Sequence, residues 1–419
     1  MLLIAVPTAA ATSAPRLDPL FTVPAGDSAL LDDGRLYVLR EAGEGRPGDT
    51  LTAYRLSDGA MLWEAVDTDN PAYGWAALQI RGGVLLLTRE QPPEPGGVPA
   101  PGGVGGFVTT AYDPDSGNVR WRHEGWVGLA GAGNLVILLE PSGSEHPWDR
   151  MRPTAIDLGT GEVIWTAPVA TRWVYDRSPT AVAAYLVTMD DDGQLATYDV
   201  DTGIRLATST LPDEVSGADP YDLSLLAADD LVVLQDVSAQ TLYAYDADSL
   251  AHRWSTELPF TAFLTGGCGP VLCLQGLGHN GLHGIDPDTG ESRWSADLVA
   301  GDRAPSWPRA IGPTPDTLLA GDRILDATTG EQLLALERWE HRSGGLIQAS
   351  VHQQDPILLW RERHGADTGP RIWFGQLRSQ PLQVEVIGNA AGWFDGCDAT
   401  TRHLACRDGG HLHVWHIRW

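Results

Sequence analysis

One phrase recurs along this chain and limits what the chain can fold into. It reads AYDPDSGNVRW at residues 111–121 and returns as AIDLGTGEVIW (155–165), AYDADSLAHRW (244–254) and GIDPDTGESRW (284–294). A looser copy, AYRLSDGAMLW, occupies 53–63. TYDVDTGIRLA (197–207) and ILDATTGEQLL (324–334) keep the turn but replace the tryptophan. The phrase encodes a strand, a turn and a strand. Asp113 is placed to accept backbone N–H bonds in an Asx-type turn, and Gly117 supplies the positive φ that closes it. Val119 and Trp121 then alternate on the returning strand.

Trp63, Trp121, Trp165, Trp254 and Trp294 hold the same place in their units, so each is expected to bury a large ring against the neighbouring unit. A small sheet with no core of its own acquires one in this way. Two more strands precede the phrase in each unit. In the fourth unit they are expected at 180–185 and 186–189, ahead of 194–199 and 204–208. Four antiparallel strands repeating every ~40–45 residues is the signature of a β-propeller blade.

Third strands are expected around Tyr54, Tyr112, Ile156, Tyr198, Tyr245, Ile285, Leu325, Phe374 and Val414. These are nine candidates. Eight blades is the expected number, with the compact unit at 318–336 or the degenerate one at 373–387 as the irregular member. The last unit ends without a fourth strand, and PLFTVP at 19–24 is a strand with no partner upstream. Their pairing would close the ring and remove its exposed edges. The expected fold is therefore all-β: one β-propeller over 16–419, after a segment 1–15 that is a signal or anchor remnant or a disordered N-terminus.

The pattern A-x-D-x-x-T-G-x-x-x-W resembles the tryptophan-docking repeat of pyrroloquinoline-quinone-like propellers. That superfamily includes quinoprotein alcohol dehydrogenases, the propeller lipoprotein of the bacterial outer-membrane assembly machine, and many actinobacterial exported propellers. The resemblance covers nearly the whole chain after Pro15 and implies a fold more than a function. Dehydrogenases of this family carry two adjacent cysteines over the cofactor and a Glu, Asn and Asp set on calcium. This sequence has no Cys-Cys pair, and that ligand set cannot be placed on it. No cofactor is expected, and no catalytic, cofactor-binding or metal residue is assigned.

Other chemistry leaves no mark either. In the Asp-x-Asp turns Gly117 and Gly290 stand fifth, where a calcium loop needs glycine sixth. His403, His411, His413 and His416 crowd the C-terminus, and His411 and His413 would share one strand face, but no acidic group completes a zinc set. There is no nucleophile elbow, phosphate loop or His-Glu-x-x-His helix.

A formal charge of −27 argues against nucleic acid and against anionic lipid as partners. The opening MLLIAVPTAAATSA looks like the tail of a secretory signal or membrane anchor, without a basic region before it. An extracytoplasmic, secreted or membrane-tethered protein is expected, and a cytoplasmic one with a disordered N-terminus is the alternative. Cys268 with Cys273, and Cys397 with Cys406, each flank a predicted turn, which suits cross-strand disulfides. Four buried thiols are the alternative.

Connections between second and third strands are long at 41–49 (EAGEGRPGD), 91–106 (QPPEPGGVPAPGGVGG) and 141–153 (PSGSEHPWDRMRP), and again at 363–370. In a propeller these share one face with the links between blades, and loops on a rigid scaffold commonly carry binding. The expectation is a non-enzymatic scaffold binding a protein or extracellular ligand through this face, with Trp148, Arg150 and Arg152 as contact candidates. A quinone-dependent dehydrogenase and an extracytoplasmic sensor portion of a signalling assembly are the competing readings.

Overall fold

A computed structural model describes residues 16–32, 34–42, 48–67, 76–91, 106–130, 134–142, 150–175, 185–212, 215, 222–228, 230–276, 281–297, 309–310, 316–336, 339, 358–365, 369–394 and 396–418. The fold is all-β, a β-propeller built of antiparallel sheets. Sheet 1 runs in order through Ser28–Asp32, Arg35–Arg40, Asp49–Arg55 and Met61–Asp67. Sheets 2 to 7 repeat this meander over 76–124, 126–166, 172–210, 223–257, 262–297 and 309–335. Sheet 8 has three described strands within 358–391. Sheet 9 has Gly396–Ala399, His403–Asp408 and His411–Arg418, with Arg16–Pro24 as its fourth strand. That last pairing runs from Arg16 opposite Arg418 to Pro24 opposite His411.

All nine third-strand positions fall in separate sheets, so the described residues form nine sheets where eight blades are expected. The compact unit at Leu325 and the degenerate one at Phe374 each build a sheet, because a hairpin needs only paired backbone and not the full phrase. Two expectations are corrected. The first strand of sheet 4 is Arg172–Tyr175, upstream of 180–185; of that stretch only Tyr185 is described, and it starts the second strand. The connection at 363–370 is no enlargement, since Leu358–Gly365 and Gly369–Ser379 pair up to Gly365 opposite Gly369.

The repeated phrase makes one joint, used again and again. The Asp113 carboxylate accepts the N–H groups of Asp115 and Ser116 at 3.0 Å each, and Gly117 N–H closes the turn on the Asp113 carbonyl at 2.8 Å. Gly117 has φ +72°, a conformation open to glycine at little cost. The indole of the preceding sheet lies flat on this turn. Trp63 donates its N–H to the Pro114 carbonyl at 2.9 Å, and a Cβ on Gly117 would stand 2.5 Å from the ring. Trp121, Trp165, Trp254 and Trp294 repeat the bond to Leu158, Val200, Pro287 and Ala327, in each case the residue after the turn aspartate. Trp63, Trp121, Trp254 and Trp294 are buried and Trp165 half-buried, which makes these rings the main apolar ties between sheets.

Each neighbouring pair of sheets shares an apolar cluster. Leu319 and Ile324 of sheet 7 pack with Leu377 and Val384 of sheet 8, and Phe374 of sheet 8 packs with Trp415 of sheet 9. Sheets 9 and 1 are neighbours as well: Ala405, Leu412 and Val414 pack with Leu31, Leu36 and Val38. At that junction Phe21, opposite Val414, lies against Gly59 in the place a tryptophan holds elsewhere.

Candidate interaction face

The second-to-third-strand connections and the links between sheets lie at one end of a propeller. Three consecutive sheets carry long connections there: Arg40 to Asp49 in sheet 1, Gln91 to Gly106 in sheet 2 and Pro141 to Met151 in sheet 3. The bulk of the second and all of 143–149, with Trp148, lie outside the described residues. What is described is the base on which these loops stand.

That base is a buried ion network across sheets 1 and 2. Asp49 opens the third strand of sheet 1 and pairs with Asp67 at the end of the fourth. Arg89, on the second strand of sheet 2, reaches both carboxylates, at 3.2 Å to Asp49 and 3.1 Å to Asp67. All three side chains are at least nine-tenths buried. Arg122 makes a second contact to Asp67 at 3.1 Å. The other Asp49 oxygen accepts the Ala42 N–H at 2.6 Å, which ties the start of the first loop to its end. Glu41 N–H donates to Asp27 at 2.7 Å. Burial, then the charges of Asp27 and Asp49, push the Glu41 carboxyl above its ordinary value, and Arg89 opposes them. Removing Arg89 would take the shared cation from two buried carboxylates and leave Asp67 with Arg122, a loss on the order of 3–5 kcal/mol.

The third loop is closed by Ser142 N–H on the Arg150 carbonyl at 2.9 Å. The Arg150 guanidinium pairs with Asp191 on the Asp190–Asp192 turn of sheet 4, so it bridges two sheets. Arg152 is exposed and stands opposite Glu140. The structure thus separates the named contact candidates: Arg150 is held by a carboxylate, and Arg152 faces solvent. An aromatic series links the inner strands of sheets 3 and 4 to the third strand of sheet 2. Phe107 lies 6.5 Å from Trp126, and Trp126 lies 5.9 Å edge-on to Trp173, crossing sheets 2, 3 and 4.

Sequence reading missed the Asp49–Arg89–Asp67 network, because no motif joins three residues on strand ends of two sheets. It also missed the side chains that cap inner-strand backbone of the next sheet. Gln235 donates to the Ala262 carbonyl at 2.6 Å and accepts the Leu264 N–H at 2.7 Å. Arg172 donates to the Leu223 carbonyl at 3.1 Å.

Among the described residues no three His, Cys, Asp or Glu side chains are arranged to hold a metal ion. His411 and His413 have ring centres 6.5 Å apart, while His416 faces His403. Cys268 is bonded to Cys273 and Cys397 to Cys406, five and nine residues apart. Neither is the adjacent-cysteine ring that the resemblance to quinone enzymes would imply. No described helix is long and apolar enough to cross a membrane.

Comparison with known proteins bears on this architecture. Residues 152–338 match the family model described as outer membrane protein assembly factor BamB. Among solved structures, BamB from Moraxella catarrhalis is 16% identical, with 96% of this chain and 99% of that chain covered and a TM-score of 0.43. The computationally designed Ika8 protein is 13% identical over 83% of this chain and 98% of its own, with a TM-score of 0.50. A europium-containing methanol dehydrogenase is 11% identical over 96% and 93%, with a TM-score of 0.43. No curated protein matches the chain. At these identities the structural likeness is one of fold. The fold and the face define a propeller with an elaborated end. The chain is a β-propeller, and the repeats within residues 152–338 are similar to those of the matched family.

Proposed function

We propose that the chain is a non-enzymatic, exported or membrane-tethered scaffold that binds a protein or extracellular ligand on its looped face. The observation that carries this is that three consecutive sheets carry long connections at one end, the first two based on the buried Asp49–Arg89–Asp67 network and the third closed by Ser142 on Arg150. Both cysteine pairs are joined as disulfides, which suits an oxidising compartment. The matched family model takes its description from an assembly factor of the outer membrane, which agrees with an extracytoplasmic scaffold having a protein partner.

The test is affinity capture with the full chain and with variants whose segments 43–47 and 143–149 are replaced by short glycine-serine links. Asp49, Arg89 and Arg150 are left in place, so the base stays intact. Partners recovered by the full chain and lost by the shortened variants support the reading; unchanged recovery overturns it. Dye reduction with alcohols or sugars after adding the quinone and calcium would instead support the dehydrogenase.

A further inference from the structure

The outer strand of sheet 4 departs from the repeat in two ways at once. In sheets 2, 5 and 6 this strand carries a tryptophan docked on the next turn and, just before it, an arginine held by the turn aspartate. Those arginines are Arg120 on Asp113, Arg253 on Asp246 and Arg293 on Asp286. Sheet 4 has Ala207 and Leu206 at these two positions. Its strand, Arg205–Thr210, therefore runs Leu-Ala-Thr-Ser-Thr without a charge after Arg205. The outer strands of sheets 1, 2, 5 and 6 carry charges further along, such as Glu64, Glu124, Glu257 and Asp297. The uncharged ones of sheets 3 and 7 are only four residues long, so the uncharged run of sheet 4 is the longest among the outer strands of sheets 1 to 7. Ile204 and Leu206 are 63% and 48% exposed.

This strand is also an open edge. Among the described residues it pairs with Gln194–Asp199 alone, on its inner side. Leu211 N–H bonds back to the Gly193 carbonyl, and antiparallel alternation then turns the N–H groups of Thr208 and Thr210 outward. Charged residues are what usually keep such an edge from pairing, and here none follows Arg205.

The two ends of the edge are acidic. Asp199 and Asp201 lie in the turn that enters the strand, ahead of Arg205, and Asp190 and Asp192 in the turn beside its exit, where Asp191 is already paired with Arg150. We propose that this edge is a strand-docking site for an extended segment of another protein, uncharged and β-branched in the middle and basic at both ends. The segment adds as a fifth strand, with main-chain bonds supplying affinity and the two acidic turns setting register. Six residues of strand span about 20 Å, which sets the separation of the basic ends. A second copy of this chain is the poorer occupant. Antiparallel self-pairing would set each acidic turn against another, between molecules of charge −27. The edge itself is separate from the three long loops, although its exit turn meets Arg150 at the end of the third.

The probe is a capped, fluorescent peptide Lys-Lys-Val-Thr-Val-Thr-Val-Lys-Lys, titrated into the full chain at low ionic strength and followed by anisotropy. Saturable binding is expected, falling as salt is added. Thr208→Pro, which removes an outward donor from an edge strand that tolerates proline, should weaken it about tenfold or more. Asp192→Lys with Asp201→Lys should do the same without touching the backbone, and keeps the test decisive if the proline variant misfolds. Variants shortened at 43–47 and 143–149 should bind as well as the parent. Equal binding of a peptide with glutamate ends, or indifference to both sets of substitutions, would overturn the proposal. So would self-association that Thr208→Pro abolishes, which would assign the edge to a second copy.

Discussion

The joint between sheets 2 and 3 and the joint between sheets 4 and 5 fill the same space with opposite choices. At the first, Trp121 is 7% exposed, its ring covers Gly161 at φ +76°, and its N–H reaches the Leu158 carbonyl. At the second, the tryptophan position is Ala207, and the glycine position is Leu250, held at φ +52° and 2% exposed. Leu250 packs in the cluster that includes Ala207. The bulk has moved from one sheet to the other. A left-handed conformation costs a leucine on the order of 1–2 kcal/mol, so burial of its side chain must outweigh that strain. What the repeat conserves is the volume of the wedge, shared between two positions, and not the tryptophan itself.

The largest expected effect comes from emptying the first wedge. Trp121→Ala should cost about 3–5 kcal/mol, read as a drop in the midpoint of urea unfolding. Adding Gly161→Leu to that variant copies the sheet 4–5 arrangement and should recover part of the loss. If the double variant is no better than the single, volume sharing is wrong. The reciprocal change is smaller. Ala207→Trp alone overfills the wedge against Leu250 and should cost about 1–3 kcal/mol. With Leu250→Gly the ring gains room and the Ala247 carbonyl as acceptor, so the pair should approach the parent. A double-mutant cycle that closes additively would break the comparison.

This contrast also shows what could be read from the residues. The five docking tryptophans were legible because a bulky residue at a fixed place after Asp and Gly has one use, the next sheet. The Leu250 substitution stood in plain sight in AYDADSLAHRW, yet its meaning needs the Ala207 of the preceding unit, 43 positions away. Sheets 7 and 8 are harder to read for a related reason: they are joined by Leu334, Leu377 and Val384, which are ordinary strand residues with no signature. The ion network under the loops was hidden because Asp49, Asp67 and Arg89 acquire a shared environment only when two sheets pack.

The arginines of the outer strands offer a pH contrast between the same regions. Hydrogen bonding to Arg120 brings Asp113 down to about 2, and Arg253 does the same for Asp246. A carboxylate depressed on folding adds stability above its unfolded value, roughly 3.9, which is lost as pH falls through the folded value. Arg120→Leu should therefore lower the melting temperature slightly at pH 6, with the difference shrinking toward zero as the solution approaches pH 2. Leu206→Ala in sheet 4 should show no such convergence. A loss from Arg120→Leu that persists undiminished in acid would mean its stem, not its charge, holds the strand.

The smallest effect tests whether sheet 4 lost its arginine at a cost. Asp199 accepts the Thr202 N–H at 2.8 Å and the Thr202 hydroxyl at 2.6 Å, as the other turn aspartates do with their own serine or threonine. Leu206→Arg would set a guanidinium where Arg120 and Arg253 stand relative to their turns. Because both partners are solvent-exposed, the gain should be only about 0.2–1 kcal/mol, and added salt should erode it. Asp199→Asn in the same background should cancel it. If Leu206→Arg stabilises by that amount and also stops the lysine-ended peptide from binding, the missing arginine is the opening through which a strand can enter. If it destabilises, Leu206 is packing against sheet 3 and the exposed edge is less open than its accessibility implies.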